Sequence, residues 1–155
     1  QALTTFIGQN LGAKEYDRAK KGALFGTICG IGIAEVIGIA VFFFSPYLIA
    51  AFGGDQRAIE YGIAEAHTIA LFYCLLAFSH CMAAIQRGAG RSIVPMFVMM
   101  IVWCGVRVTY ISIVIRIIPV INVIYWAYPL TWFISSVIFL ILFLKTDWIH
   151  GLEKQ

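Results

Sequence analysis

The chain has 155 residues, of which 61% are hydrophobic and only 12% charged, with a formal net charge of +3. A soluble domain runs nearer a quarter charged, so charges this sparse cannot clothe a water-facing surface, and lipid is the simplest solvent for the outside. The basic residues form no cluster on a soluble face and no zinc-finger or other nucleic-acid signature is present, which removes nucleic acid from the expected partners.

Taken in order, the chain opens in mid-pattern at Gln1, with neither a signal peptide nor a capped start, and is expected to be truncated at its N-terminus. Residues 1–12 read as the last turns of a first, partial helix closed by Gly12. Residues 14–21 (KEYDRAKK) are a charged connection or an interfacial helix. The second segment, 22–52, is apolar apart from Glu35 and long enough to cross the ~30 Å of hydrocarbon, with Pro46 and Gly53-Gly54 marking its end. The third is predicted over 57–87. The fourth, 92–117, carries Pro95 in its first turn, where proline is tolerated. A tight turn at 119–122 leads to the fifth, 123–144, kinked at Pro129, and a short polar tail follows. The apolar runs lack the alternation of a membrane barrel. The expected architecture is therefore all-α: a polytopic transmembrane helical bundle of four complete helices preceded by the end of a fifth.

Loop charges orient the bundle. The first, third and final connections hold Lys14, Arg18, Lys20, Lys21, Arg87, Arg91, Lys145 and Lys154, eight of the 11 Lys and Arg residues. The other side holds Arg57 and Arg116, and Arg107 lies within a helix. The positive-inside rule then places the C-terminus of a multi-pass protein in the cytoplasm.

Depth decides which polar residues are informative, because a charge far from the interfaces is costly and has a partner or a task. Glu35 lies roughly 20 Å, and Arg107 roughly 22 Å, from the same edge at 1.5 Å per residue. The two are thus candidates for a buried ion pair that fixes packing, and Glu35 is also a candidate carrier of a coupling ion. Phe72, Ser79 and Gln86 recur at seven-residue spacing with His80 beside them, so they are candidates to line a cavity. Gly22, Gly26, Gly30, Ala34 and Gly38 recur every four residues, a small-residue ridge that serves either static packing or sliding. Tyr47, Trp126, Tyr128, Trp132 and Trp148 include expected interface anchors. Cys29, Cys74, Cys81 and Cys104 sit in apolar runs as small hydrophobes. His67, Cys74 and Cys81 share a stripe, but seven-residue steps of roughly 10 Å are too long for one metal ion, and no metal site is expected. No nucleophile elbow, phosphate loop or zincin motif is present, and an enzyme is not expected.

Residues 5–13 (TFIGQNLGA, with Gln9 and Gly12), followed by Arg18 and a small-rich helix, resemble the end of the eighth helix of MATE-type multidrug exporters. The run Gln86-Arg87-Gly88-Ala89-Gly90-Arg91-Ser92-Ile93-Val94-Pro95 is similar to the turn between that family's tenth and eleventh helices. Residues 104–108 (CGVRV) and 128–132 (YPLTW) look like its last two helices. The resemblance implies most of the C-terminal lobe of a twelve-helix, two-lobed transporter, whose N-terminal lobe would supply the other cavity wall. It also implies export of small organic, often cationic, compounds in exchange for H+ or Na+, with no other cofactor. Some members carry an acidic residue on the tenth helix where this chain has Leu75, flanked by Cys74 and Leu76; the departure directs the search for an ion site to the N-terminal lobe. A lipid-linked oligosaccharide flippase of related architecture and a non-transporting structural subunit are the alternatives.

Overall fold

The computed structural model describes residues 1–150, and within them every regular element is a helix. Helix α1, Ala2–Gly12, passes through a short turn into α2, Tyr16–Ala51. Because α2 starts at Tyr16 and not at residue 22, Asp17, Arg18, Lys20 and Lys21 ride on the same rod as the span. At 1.5 Å per residue its 36 residues reach about 54 Å, so both ends clear the hydrocarbon. Pro46 sits inside this helix and does not end it.

The third segment, expected as one helix over 57–87, is broken. Helix α3, Gln56–Ala70, and helix α4, Tyr73–Gly88, meet at Leu71 and Phe72 with a bend of 58°. The next rod, Ile93–Ile117, is continuous but changes pitch: α5, Ile93–Met99, gives way to a π-helical stretch, Met100–Val106, and then to α6, Arg107–Ile117. Helix α7, Asn122–Lys145, holds Pro129 in its interior. Three rods are thus long and apolar enough to cross a membrane, and the bent pair, counted as one span, makes a fourth. Lys154, counted above for orientation, lies outside the described residues.

Helix α4 is the hub, packed on α1, α2 and α7. The outer faces of α2 and of the Ile93–Ile117 rod expose large apolar side chains, among them Phe25, Ile33, Val36, Phe43, Ile101 and Val108, as a lipid-facing surface requires. The small-residue ridge of α2 turns inward. A β-carbon on Gly26 would stand 2.8 Å from Leu3 Cδ1, one on Gly30 2.8 Å from Cys81 Sγ, and one on Gly38 2.6 Å from the Ala70 carbonyl. Hydrogen side chains at these positions let α2 touch three different neighbours along one stripe.

One end of the bundle carries the apolar core, built from Ile7, Leu11, Ala19, Ala23, Met82, Ile85, Phe139 and Trp148. The connections after α1, α4 and α7 converge there. The Tyr16 and His150 rings lie 5.1 Å apart, and Arg91 Nη2 donates to the Asp147 carbonyl at 3.0 Å. Trp148, expected as an interface anchor, is instead buried and stacked on Phe143; Trp132 is also buried, whereas Tyr47 and Trp126 are exposed.

Candidate functional site

The family-motif residues belong to this packed end. Gly88 is buried, with the Thr4 carbonyl 2.7 Å from where its β-carbon would be. Gly90 has φ 81°, a left-handed conformation that disfavours a side chain, and its turn is closed by Gly90 N–H to the Arg87 carbonyl at 3.1 Å and Arg91 N–H to the Gln86 carbonyl at 2.9 Å. Pro95 is buried just beyond, while Gln9, Gly12 and Arg87 are exposed. The turn therefore fastens α4 to α1 and to the segment after α7.

Glu35 and Arg107, expected at matching depth, are not brought together. Helix α2 packs on α1, α3 and α4, whereas the rod bearing Arg107 packs on α7 and, through α5, on α4. Each has its own surroundings. Glu35 points to the α3–α4 break, where a cavity of about 220 Å3 is lined by Glu35, Gly38, Ile39, Phe42, Phe43, Ala70 and Leu71. Its Oε2 is buried without a hydrogen-bond partner. Cys74, in the first turn of α4, lies close enough to this carboxylate to feel its charge. Phe42 stacks on His67 with ring centroids 4.4 Å apart and closes the outer side. So α2 places a carboxylate against Cys74, beside the position where the α4 sequence itself has Leu75.

Arg107 stands against aromatic faces. Its guanidinium carbon is 4.3 Å from the Tyr128 ring centroid and 5.8 Å from that of Trp103, and its Nη2 donates to Thr131 Oγ1 at 2.7 Å. Its Nε is buried and unpartnered, and no carboxylate of the described residues pairs with it.

The expected cavity-lining set divides. Ser79 is fully buried, 3.0 Å from Ser135 Oγ and 2.9 Å from Ser136 Oγ, and the Ser136 hydroxyl donates to the Leu75 carbonyl at 3.1 Å. Gln86 is also buried, its Oε1 unpartnered. These two belong to helix packing. His80 is exposed, edge-on to Trp103 at 5.3 Å, and Phe72 sits at the break, edge-on to Trp126 at 5.9 Å. Replacing Ser79 with alanine removes its bonds to both hydroxyls of α7, which keep their bonds to the Trp132 and Leu75 carbonyls, so thermal unfolding of the purified protein in detergent should register a loss of about 0.5–1 kcal/mol, typical of interhelical bonds in membranes.

Sequence reasoning missed the break, the π-helical stretch and the hydroxyl seam. Only the seam had a signal: Thr131, Ser135 and Ser136 are polar positions within one helical face of an otherwise apolar α7.

Apolar rods around an inner hydroxyl seam, with charged groups at membrane depth and a broken span beside one of them, define a multi-pass membrane helical bundle. The MatE family model matches residues 1–111. The chain belongs to that family, the one its TFIGQNLGA and RGAG elements resemble. It is also similar to a protein of Thermotoga maritima described as "Probable multidrug resistance protein NorM", with 29% identity over 103 residues, 66% of this chain and 22% of the relative. The chain thus spans under a quarter of the length of the curated relative it matches. No solved structure shows a significant match.

Proposed function

We propose that the protein is a secondary-active antiporter that exports small organic compounds by alternating access, driven by inward movement of H+ or Na+. The observation that carries this reading is the Glu35 carboxylate, held inside the membrane beside a broken helix with one oxygen unpartnered. Broken spans present backbone carbonyls at one half-helix end and N–H groups at the other, and transporters use such ends to hold ions at the centre of the bilayer. A carboxylate there binds a small cation when the cavity is open to one side and releases it when the surroundings rearrange. The bend at Leu71 and Phe72 supplies a place for that rearrangement. In this reading the basic end is cytoplasmic, the membrane is the plasma membrane, and a second lobe of the same protein forms the opposite cavity wall. The lipid-linked oligosaccharide flippase is the second reading, and Arg107, a cation at membrane depth, is the feature that favours it.

The test is dye efflux from cells producing the full-length protein. Collapsing the proton and sodium gradients together should abolish efflux, and collapsing them singly should identify the coupling ion. Efflux that continues unchanged without either gradient sinks the proposal.

A further inference from the structure

We infer that Arg107, with Trp103, Tyr128 and His80, forms a binding site for the oxyanion of an organic anion, a carboxylate or phosphate carried on a planar apolar body. The inference rests on the transport reading and adds an organic-anion class to its substrates, beside the cations that the family resemblance implies.

A guanidinium at membrane depth is expensive unless an anion or a polar cavity compensates it. Here its partners among the described residues are one hydroxyl, Thr131 Oγ1 at 2.7 Å, and two aromatic rings. Rings on the faces of a guanidinium leave its rim of N–H donors free, and that rim matches the two oxygens of a carboxylate or phosphate. Five donors are available and Thr131 takes one of them.

The site is also held in place. Trp103 Nε1 donates to Ser135 Oγ at 3.3 Å, which ties the indole to the hydroxyl seam of α7. Trp103 belongs to the π-helical stretch, whose wider turn re-aims side chains and recurs at functional sites. His80, on α4, lies edge-on to the same indole at 5.3 Å and borders the site. Exposure supplies the opening. His80 is exposed, and Trp103, Arg107 and Tyr128 are only half-buried. Polar side chains exposed at this depth face a water-accessible cavity and not lipid. Glu35 does not compete for Arg107, since it sits across α4 against Cys74. A planar anion would lay its ring system on the indole and phenol and direct its oxyanion to the guanidinium.

The experiment is binding of carboxyfluorescein and of ethidium, an anion and a cation of similar bulk, to the purified full-length protein in detergent, followed by fluorescence polarisation. The wild type should bind carboxyfluorescein. Arg107→Gln should weaken that binding by about tenfold or more, with Arg107→Lys in between, while ethidium binding changes less than about twofold. Ethidium serves as the folding control. Absence of carboxyfluorescein binding to the wild type, or equal binding to wild type and Arg107→Gln, overturns the site. So does a parallel loss of both dyes in Arg107→Lys and Arg107→Gln. Adding phosphatidylglycerol separates the sources of the oxyanion: competition with the dye makes it a lipid headgroup, and no competition makes it a soluble compound. Gradient-dependent efflux of ethidium reports separately on the transport reading, so either idea can fail alone.

Discussion

Replacing Glu35 with glutamine is expected to cut gradient-driven export by about tenfold or more while the amount of folded protein in the membrane stays near that of the wild type. Glutamine keeps the size of the side chain and its ability to sit in the cavity between α2 and the α3–α4 break. It removes the one property that coupling needs, a negative charge able to take up and give back a cation. The amide fills the same space in the cavity lined by Gly38, Phe42 and Ala70, so local packing should survive. Glu35→Asp keeps the charge but withdraws it by about one bond length, roughly 1.5 Å, and an intermediate rate is expected. Export and folded yield should be measured on the same cells. If the two fall in proportion, Glu35 is a packing residue and coupling lies elsewhere.

The second large effect is expected at Gly88. A methyl group there would meet the Thr4 carbonyl at 2.7 Å and the Ile7 side chain at 2.8 Å, and Ile7 is itself fully buried. Neither neighbour is the loose end of a flexible chain, so α1 must be pushed off α4. Gly88→Ala should therefore destabilise the protein by about 1–3 kcal/mol, the usual cost of overpacking. Gly12→Ala is the matched control: nothing lies within 4 Å of its β-carbon position. It should be neutral or slightly stabilising, because alanine is the better helix former. Thermal unfolding in detergent of both variants beside the wild type decides the matter. Equal stability of Gly88→Ala and wild type would show that the α1–α4 contact is looser than described.

The helical membrane architecture was legible because the bilayer leaves few choices. An apolar run of about 20 residues with no water to satisfy its backbone must close its own hydrogen bonds as a helix. The ridge of Gly22, Gly26, Gly30 and Gly38 was legible for the same reason: small residues every four positions have little use except close approach, and the structure puts Phe6, Leu3, Cys81 and Ala70 against them. The break at Leu71 and Phe72 was not legible, because Ile69, Ala70, Leu71 and Phe72 contain neither glycine nor proline to mark it. The π-helical stretch is hidden in the same way within an apolar run. Depth along a rod can be counted from sequence, which is why Glu35 and Arg107 were placed at similar levels. The direction each faces around the bundle depends on which helices touch, and α2 turns Glu35 to α4 and not to Arg107. The meeting of Glu35 with Cys74 depends on packing between α2 and α4, and local patterns in either helix carry no trace of it.

The most direct test of cation-coupled transport is uptake of a fluorescent substrate into sealed vesicles that contain the purified full-length protein and no other carrier. With an outward-directed gradient of H+ or Na+, the dye should accumulate inside against its own concentration gradient, stop when an ionophore removes the ion gradient, and fail to accumulate with Glu35→Gln. Equilibration of the dye at the same final level with and without the ion gradient would contradict the account.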